Sequence, residues 1–278
     1  MKSGTAVQSI GFRRFLPIGA PEVVIHYLDR WGIDEIIVLH IDATGLRSSP
    51  SAREVGSYAR KCRVPLSVGG GVRSVSDVKR IITAGADKIV LNSALAEAPD
   101  LVTQAAELFG SQCVVVSVDG RRQPDGTHVA YTHAGTLTAD VSPAQLASRG
   151  EALGAGEILI RSIDHDGTRQ GYDLDLLRAT LDAVRIPVIC SGGAGHPRHL
   201  QAAIESGASA VAVGNLFNFT EHSVILTKRF LESEGLAVRL DSYATYRENP
   251  LGQDGRVGKL PDDVLEALRF HYIPEEVL

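Results

Sequence analysis

The segment VPLSVGGGVRSVSDVKRIITAGADKIVLNS (64–93) decides the fold of this chain. It begins and ends with short, β-branched apolar runs, which predict two buried strands. Between these runs, Val75, Val78 and Ile81 recur at the spacing of one helix face, and Gly85 is placed to end that helix. A strand, a helix and a second strand in this order predict two parallel strands joined by a helical crossover.

The same pattern returns 122 residues later as IPVICSGGAGHPRHLQAAIESGASAVAVGN (186–215). Matches at this spacing extend beyond the segment, since Glu35 recurs as Glu157 and Gly4 as Gly126. A constant spacing of this kind indicates a duplicated structural unit. A duplicated half favours a (β/α)8 TIM barrel of two half-barrels over an open, doubly wound sheet, which has no reason to be two-fold symmetric.

The repeat also predicts a gap at the start of the barrel. Seven strands are predicted, at 35–42, 64–70, 87–93, 113–120, 157–164, 186–193 and 209–215. The first-half partner of the strand that begins at Cys113 would fall before Met1. We therefore expect the first strand to be missing. Either the chain is truncated at its start, which the undisturbed repeat up to Gly4 favours, or another segment closes the barrel.

These observations predict the domain organisation. The barrel is expected over 1–240, with half-barrels at about 1–122 and 123–240. Residues 241–278 lie outside the repeat and form a C-terminal extension, in which PDDVLEALRF (261–270) has the pattern of a short capped helix.

The composition excludes several classes of protein. The chain is 44% hydrophobic with a formal net charge of −5, so we expect a soluble protein that does not bind nucleic acid. No leader-like segment or run of about 18 apolar residues appears, so no membrane association is expected. The three scattered cysteines fit a reducing, cytoplasmic location.

We expect neither a metal nor a cofactor. The histidines lack metal-ligand spacing. The stretch DHDGTRQGYD (164–173) superficially resembles a calcium loop, but it lacks the ligand-bearing Glu at the twelfth position. It is better interpreted as a long active-site loop that follows a strand.

Glycine-rich turns at the strand ends predict phosphate binding. Active sites of barrels lie at the carboxyl ends of the strands, where backbone N–H groups at helix starts attract anions. The alternative is that these glycines only permit tight turns. Two such turns at matching positions favour a substrate with a phosphate at each end. The candidate residues are Gly70, Gly71, Asn92, Ser93, Asp166, Gly167, Ser191, Gly192, Gly193, Gly214 and Asn215.

Charged residues mark both ends of the barrel. Asp119 ends the strand opposite the missing one and is the best catalytic candidate, although it could instead cap its loop or pair with Arg121 or Arg122. At the strand starts, Glu35, Glu157 and Lys88 could form a paired ring, or could simply be solvated.

The sequence resembles the cyclase subunit of imidazole glycerol phosphate synthase, the barrel of histidine biosynthesis. The resemblance runs from Lys2 to about Leu240 and is carried by seven motifs: GIDEI (32–36), VGGGV (68–72), GADKIVLNSA (85–94), FGSQCVVVSVD (109–119), GAGEIL (154–159), SIDHDGTRQGYD (162–173) and SGGAG (191–195). It implies a glutaminase partner that docks on the bottom face and sends ammonia through the core. The ammonia would react with a bisphosphate ribulosyl aminoimidazole-carboxamide substrate, yielding imidazole glycerol phosphate and an aminoimidazole-carboxamide ribotide.

The resemblance also implies residue roles. Asp119 matches one of the two aspartates that act as general acid and base, whereas the other would lie before Met1. Glu35, Lys88 and Glu157 match three members of the family's ammonia gate, and Asp87 matches a residue at the glutaminase contact.

Three residues depart from the family pattern. Gln8 replaces a lysine near the substrate, His40 replaces a strand-end aspartate, and Arg161 replaces a small polar residue. A related branch of the family supplies ammonia to an amidotransferase of surface-polysaccharide sugars, so a barrel that conducts ammonia without cyclising is the second hypothesis. The sister sugar isomerase is a third, weaker because it would not need the ring.

Overall fold

The computed structural model describes residues 1–43, 48–252 and 254–267. Eleven strands are present within these ranges: β1 (Ala6–Ile10), β2 (Arg14–Gly19), β3 (Ile36–Leu39), β4 (Leu66–Gly69), β5 (Lys88–Leu91), β6 (Val114–Arg122), β7 (His128–Thr132), β8 (Leu137–Thr138), β9 (Glu157–Ser162), β10 (Val188–Ser191) and β11 (Ala210–Ala212).

The α-helices alternate with these strands and cover them. They are α1 (Pro21–Arg30), α2 (Ala52–Ala59), α3 (Val75–Thr83), α4 (Ser93–Glu97), α5 (Asp100–Phe109), α6 (Pro143–Ala152), α7 (Leu174–Ala183), α8 (Pro197–Glu205), α9 (Ser223–Ser233) and α10 (Asp262–Ala267). The helix predicted at 261–270 therefore forms over its first part, and the rest of that segment lies outside the described residues.

Seven parallel strands form the barrel wall in chain order, β3-β4-β5-β6-β9-β10-β11. These are the seven strands predicted from the sequence; six are shorter than predicted, and β6 extends two residues beyond its predicted end. The (β/α)8 barrel architecture is thus confirmed. Among the described residues, β3 and β11 end this path without a strand between them, at the position where the repeat predicts the missing strand. A cavity of about 750 Å3 lies there, lined by residues of both strands.

The duplication holds at the level of individual elements. Helix α1 begins 122 residues before α6, β4 before β10, and α3 before α8. The antiparallel hairpin β1–β2 has its counterpart in β7–β8 at the same spacing. These hairpins, which strand patterning alone did not predict, extend over the barrel mouth and add to it residues that precede α1 and α6.

Local sequence signals set the helix starts. Ser51, Ser74 and Ser142 each accept a hydrogen bond on the side chain from a backbone N–H three residues later, and each donates its own backbone N–H to the side chain of that later residue, which completes a capping box. Each cap stabilises its helix by about 1 kcal/mol. Ser74 follows the glycine turn after β4, so its cap sets where the N-terminus of α3 begins at the barrel mouth.

The core has two layers. The larger one packs the helices against the outer faces of the strands. The smaller one fills the barrel interior with four buried side chains, Val90, Val115, Leu159 and Ile189, each from a different strand. In the described part of the chain, no helix combines the length and the apolar character that a membrane span requires.

Candidate functional site

Asp119 lies in β6 at the barrel mouth, and only 2% of it is exposed. Its Oδ2 accepts a hydrogen bond from Asn92 Nδ2 at 3.3 Å, and the same amide group donates to the Ser117 carbonyl at 2.9 Å. Within the described residues, Asp119 Oδ1 has no hydrogen-bond partner. Burial raises the pKa of this carboxyl to about 6, while Arg161 lowers it and Asp166 raises it further. The carboxyl is therefore poised to gain and lose a proton near neutral pH.

Arg161, on the neighbouring strand β9, is paired in register with Asp119. Its Nη1 lies 3.6 Å from Asp119 Oδ1, which makes an ion pair but is too long for a good hydrogen bond. The guanidinium stacks over the Phe12 ring, 4.3 Å from its centroid, so the β1–β2 hairpin holds it over the mouth. The candidate acid thus carries a cation beside it.

The first glycine turn joins β4 to α3. Gly70 has a φ of +111°, and a β-carbon there would collide with the His40 carbonyl oxygen, so only glycine fits this approach of two strands. Gly71 follows, and Asn92 and Ser93 end the next strand. These four residues line a cavity of about 80 Å3 that also reaches Asp119. Sequence prediction placed them in one cluster, and the structure brings them together.

The second glycine turn joins β10 to α8. Gly193 has a φ of +110°, and a β-carbon there would collide with the Gly171 carbonyl oxygen. Ser191, Gly192, Gly193, Gly214 and Asn215 all line the large cavity between β3 and β11. This turn therefore forms a second candidate anion site, separate from the first cavity, as the repeat predicts.

Asp166 has a structural attachment that the sequence did not show. Its Oδ2 accepts hydrogen bonds from Ser9 Oγ at 2.6 Å and from the Phe12 backbone N–H at 3.2 Å. Gly167 follows it with a φ of +73° and lines the large cavity. The carboxylate of Asp166 thus ties the loop after β9 to the β1–β2 hairpin, at the edge of the mouth.

At the opposite end of the barrel, Lys88 bridges two glutamates. Its Nζ lies 2.8 Å from Glu35 Oε2 and 2.8 Å from Glu157 Oε1. Ser67 Oγ donates to Glu35 Oε1 at 2.6 Å. Burial opposes the charge of Lys88, but the hydrogen bonds to Glu157 and Glu35 outweigh it, and the pKa of the lysine is raised. The three side chains form part of a polar ring, bridged by Lys88, below the apolar layer of the barrel interior.

The sequence is similar to those of known proteins over most of its length. The sequence profile described as histidine biosynthesis protein matches residues 1–223. The chain belongs to this family. Imidazole glycerol phosphate synthase subunit HisF of Dehalococcoides mccartyi is 40% identical to it over 243 residues, which are 87% of this chain and 96% of that protein. A Vibrio vulnificus protein, provisionally named imidazole glycerol phosphate synthase subunit hisF2, is 39% identical over 256 residues, 92% of this chain and 94% of its own length.

These relatives confirm the resemblance drawn from the motifs. In this member of the histidine biosynthesis family, the alternative that Asp119 pairs with Arg121 or Arg122 is wrong. Arg121 lies 3.9 Å from Asp164, and Arg122 binds Asp173, so neither arginine neutralises Asp119. Arg161 does so instead.

Two further predicted residues have defined surroundings. Asp87 is exposed at the start of β5, and its Oδ2 accepts a hydrogen bond from the Leu66 backbone N–H at 2.8 Å. It lies on the same end of the barrel as Lys88, which is where a partner contact is expected. His40 is buried, with its Nε2 3.4 Å from the Tyr58 hydroxyl, and burial lowers its pKa. Its ring thus packs against α2.

Sequence reasoning missed one residue of the mouth. Ser117 Oγ is buried, lines the first cavity and has no hydrogen-bond partner among the described residues. The available signal was a single hydroxyl in the otherwise apolar run CVVVSVD (113–119), two residues before Asp119.

Proposed function

We propose that this chain is the cyclase subunit of an imidazole glycerol phosphate synthase. It would use glutaminase-derived ammonia to convert a bisphosphate ribulosyl aminoimidazole-carboxamide ribotide into imidazole glycerol phosphate. The observation that carries the proposal is Asp119, a buried carboxyl with a pKa of about 6 at a mouth where two glycine turns line separate cavities.

Asp119 is assigned the acid–base role. Ring closure and bond cleavage both require protons to move at the substrate, and a group whose pKa lies near the working pH can both donate and accept them. Desolvation supplies this pKa, because a carboxylate loses its hydration in the barrel mouth. Arg161 limits the effect and keeps a substantial fraction of Asp119 ionised at neutral pH.

The two glycine turns are assigned the two phosphates of the substrate. Helix α3 follows the first turn and α8 the second, so each turn presents backbone N–H groups beside a positive helix terminus. Binding the substrate at both ends would fix its reacting centre between the turns. Such positioning lowers the barrier by reducing the entropy lost on the way to the transition state.

We assign two roles to the opposite end of the barrel: the entry of ammonia and the docking of the glutaminase partner. The ring of Glu35, Lys88 and Glu157 would gate the barrel interior, and Asp87 would contact a glutaminase subunit. The three cysteines are free, which fits work in the reducing cytoplasm.

An ammonia-dependent product assay tests this function. The full chain is incubated with the bisphosphate substrate and ammonium chloride, and imidazole glycerol phosphate is measured for the wild type, for Asp119→Asn and for Asp125→Asn. Asp125 lies in the exposed turn between β6 and β7 and serves as the matched control. We expect product with the wild type and the control, and a loss of at least 100-fold with Asp119→Asn.

A second candidate is a barrel that conducts ammonia to a sugar amidotransferase without cyclising a substrate. The observation that favours it is Arg161, whose guanidinium pairs with Asp119 and stacks on Phe12 at the mouth. Absence of product from a folded wild-type chain, together with ammonia transfer from a glutaminase partner, would support this candidate over the first.

A further inference from the structure

The floor of the first cavity contains two polar atoms that the described residues leave without a hydrogen bond. They are Ser117 Oγ and Asp119 Oδ1, in residues that are each 2% exposed. A buried polar group without a partner destabilises the fold, because it has lost its hydrogen bonds to water. Two of them side by side in one cavity indicate a site built for a ligand with hydrogen-bonding groups.

The position of the two atoms limits the ligand to a small one. Ser117 and Asp119 are two residues apart on β6, so their side chains leave the same face of the strand about 7 Å apart along it. One non-hydrogen atom between them could reach both at normal hydrogen-bond distances. The whole cavity has about 80 Å3, of which a single water-sized molecule needs only about 10–15 Å3.

The surroundings indicate where this ligand would come from. On the same face of β6, Val115 of the apolar layer lies two residues before Ser117, and Leu159 of that layer is paired in register with Ser117. The ring of Lys88 lies at the strand starts. Above lies the first glycine turn, whose residues share the cavity. The two atoms therefore lie at the first polar position above the apolar interior and immediately below the proposed substrate phosphate.

The charges favour a neutral ligand. Asp119 carries a negative charge when ionised, but the Arg161 guanidinium beside it offsets that charge. Asn92 already donates to Asp119 Oδ2, which leaves Oδ1 to accept a further hydrogen bond. The Ser117 hydroxyl can donate to a lone pair as well as accept.

We propose that Ser117 and Asp119 form a binding station for ammonia where it leaves the barrel interior. Ser117 Oγ donates to the nitrogen lone pair, and Asp119 Oδ1 accepts an N–H from the same molecule. This station rests on the proposed use of ammonia by this barrel, and it adds Ser117 as a residue that holds the nucleophile below the substrate.

A binding measurement that does not depend on turnover tests the station. The full chain is labelled with 13C at the aspartate carboxyl carbons, and the Asp119 resonance is assigned from its absence in Asp119→Asn. It is then titrated at pH 9 with ammonium chloride and, separately, with potassium chloride at equal ionic strength. We expect a saturable shift with ammonium only, weakened roughly 2- to 10-fold in Ser117→Ala.

The matched control is Ser206→Ala, because the Ser206 hydroxyl is satisfied by the Ala202 carbonyl and lies at the end of α8. This control should titrate like the wild type. Ser117→Ala should also have a melting temperature equal to or above that of the wild type, because it removes an unpartnered buried hydroxyl. A lower melting temperature with unchanged ammonium binding would instead show that Ser117 is structural.

Kinetics separate this proposal from the proposed function. If the chain cyclises, Ser117→Ala should raise the KM for ammonia by the same roughly 2- to 10-fold factor and leave the KM for the bisphosphate substrate unchanged. A chain that shows the ammonium-specific shift but forms no product keeps the station and refutes the cyclase. Equal shifts in both salts, as expected if only water occupies the cavity, would overturn the station even in an active cyclase.

Discussion

Arg161 Nη1 lies 3.6 Å from Asp119 Oδ1, and the two residues are paired in register on neighbouring strands. Two opposing effects meet at this pair. Burial favours the neutral carboxyl, and the guanidinium favours the carboxylate. Burial is the larger effect, so the pKa of Asp119 settles at about 6 rather than near its ordinary 3.8.

Replacing Arg161 should raise the pKa of Asp119 and shift the pH dependence of activity. In Arg161→Gln, the effect that lowers the Asp119 pKa is lost, so this pKa should rise above 6. The acidic limb of the pH profile of kcat/KM should then shift to higher pH, and activity at pH 6.5 should fall more than activity at pH 8.5. Arg13→Gln removes an arginine outside this pair and serves as the control. If the acidic limb of the pH profile does not shift in Arg161→Gln, Asp119 does not govern the pH dependence of kcat/KM.

Removing the buried carboxylate should stabilise the protein at neutral pH. Because the folded-state pKa of Asp119 is raised, its protonated form contributes stability that is fully present below pH 3.8 and is lost as the pH rises to about 6. The loss is on the order of 3 kcal/mol, at 1.36 kcal/mol for each pH unit. Asp119→Asn should therefore melt higher than the wild type at pH 7 and lose its advantage near pH 4. Equal melting temperatures at pH 7 would contradict the account of burial.

The barrel could be predicted from the sequence because its two halves repeat the same strands and helices at a constant spacing. Strands and helices of both halves form 122 residues apart, and the two glycine turns lie where strand ends were expected. The pairing of Asp119 was not predictable, because Arg161 is 42 residues away in sequence and becomes its neighbour only through strand register. Ser117 was not predicted as a site residue because the sequence alone does not show that its buried hydroxyl lacks a hydrogen-bond partner among the described residues.

The ring of Glu35, Lys88 and Glu157 should contribute both to the stability of the fold and to the entry of ammonia. Lys88→Met leaves Glu35 and Glu157 without their shared cation. The free energy of unfolding should fall by roughly 1–3 kcal/mol, less than for a fully buried pair because these side chains keep some contact with water. Denaturant melts measure this loss, with Lys79→Met on the exposed face of α3 as control.

The same variant bears on the proposed gate. Glutamine-dependent turnover with a glutaminase partner should fall more than turnover on added ammonium, since free ammonia can also enter at the mouth. A uniform fall in both rates would indicate a general loss of folded protein instead.

Substitutions at the two proposed phosphate sites should have independent effects on the KM of the bisphosphate substrate. Ser93→Ala and Ser191→Ala each remove one hydroxyl from a different one of the two cavities, and each should raise the KM of the bisphosphate substrate about tenfold through a lost hydrogen bond to a charged group. The double variant should multiply the two effects, because distant sites act independently. Ser206→Ala is the control, and an effect confined to one serine would assign the substrate a single phosphate contact.

The central claim is that ammonia becomes part of the product at this mouth. The most direct measurement incubates the full chain with the bisphosphate substrate and 15N-ammonium chloride and analyses imidazole glycerol phosphate by mass spectrometry. The account predicts one 15N atom in each molecule of product with the wild type and none formed by Asp119→Asn. A correctly folded wild-type chain that releases no labelled imidazole glycerol phosphate at saturating ammonium would contradict it.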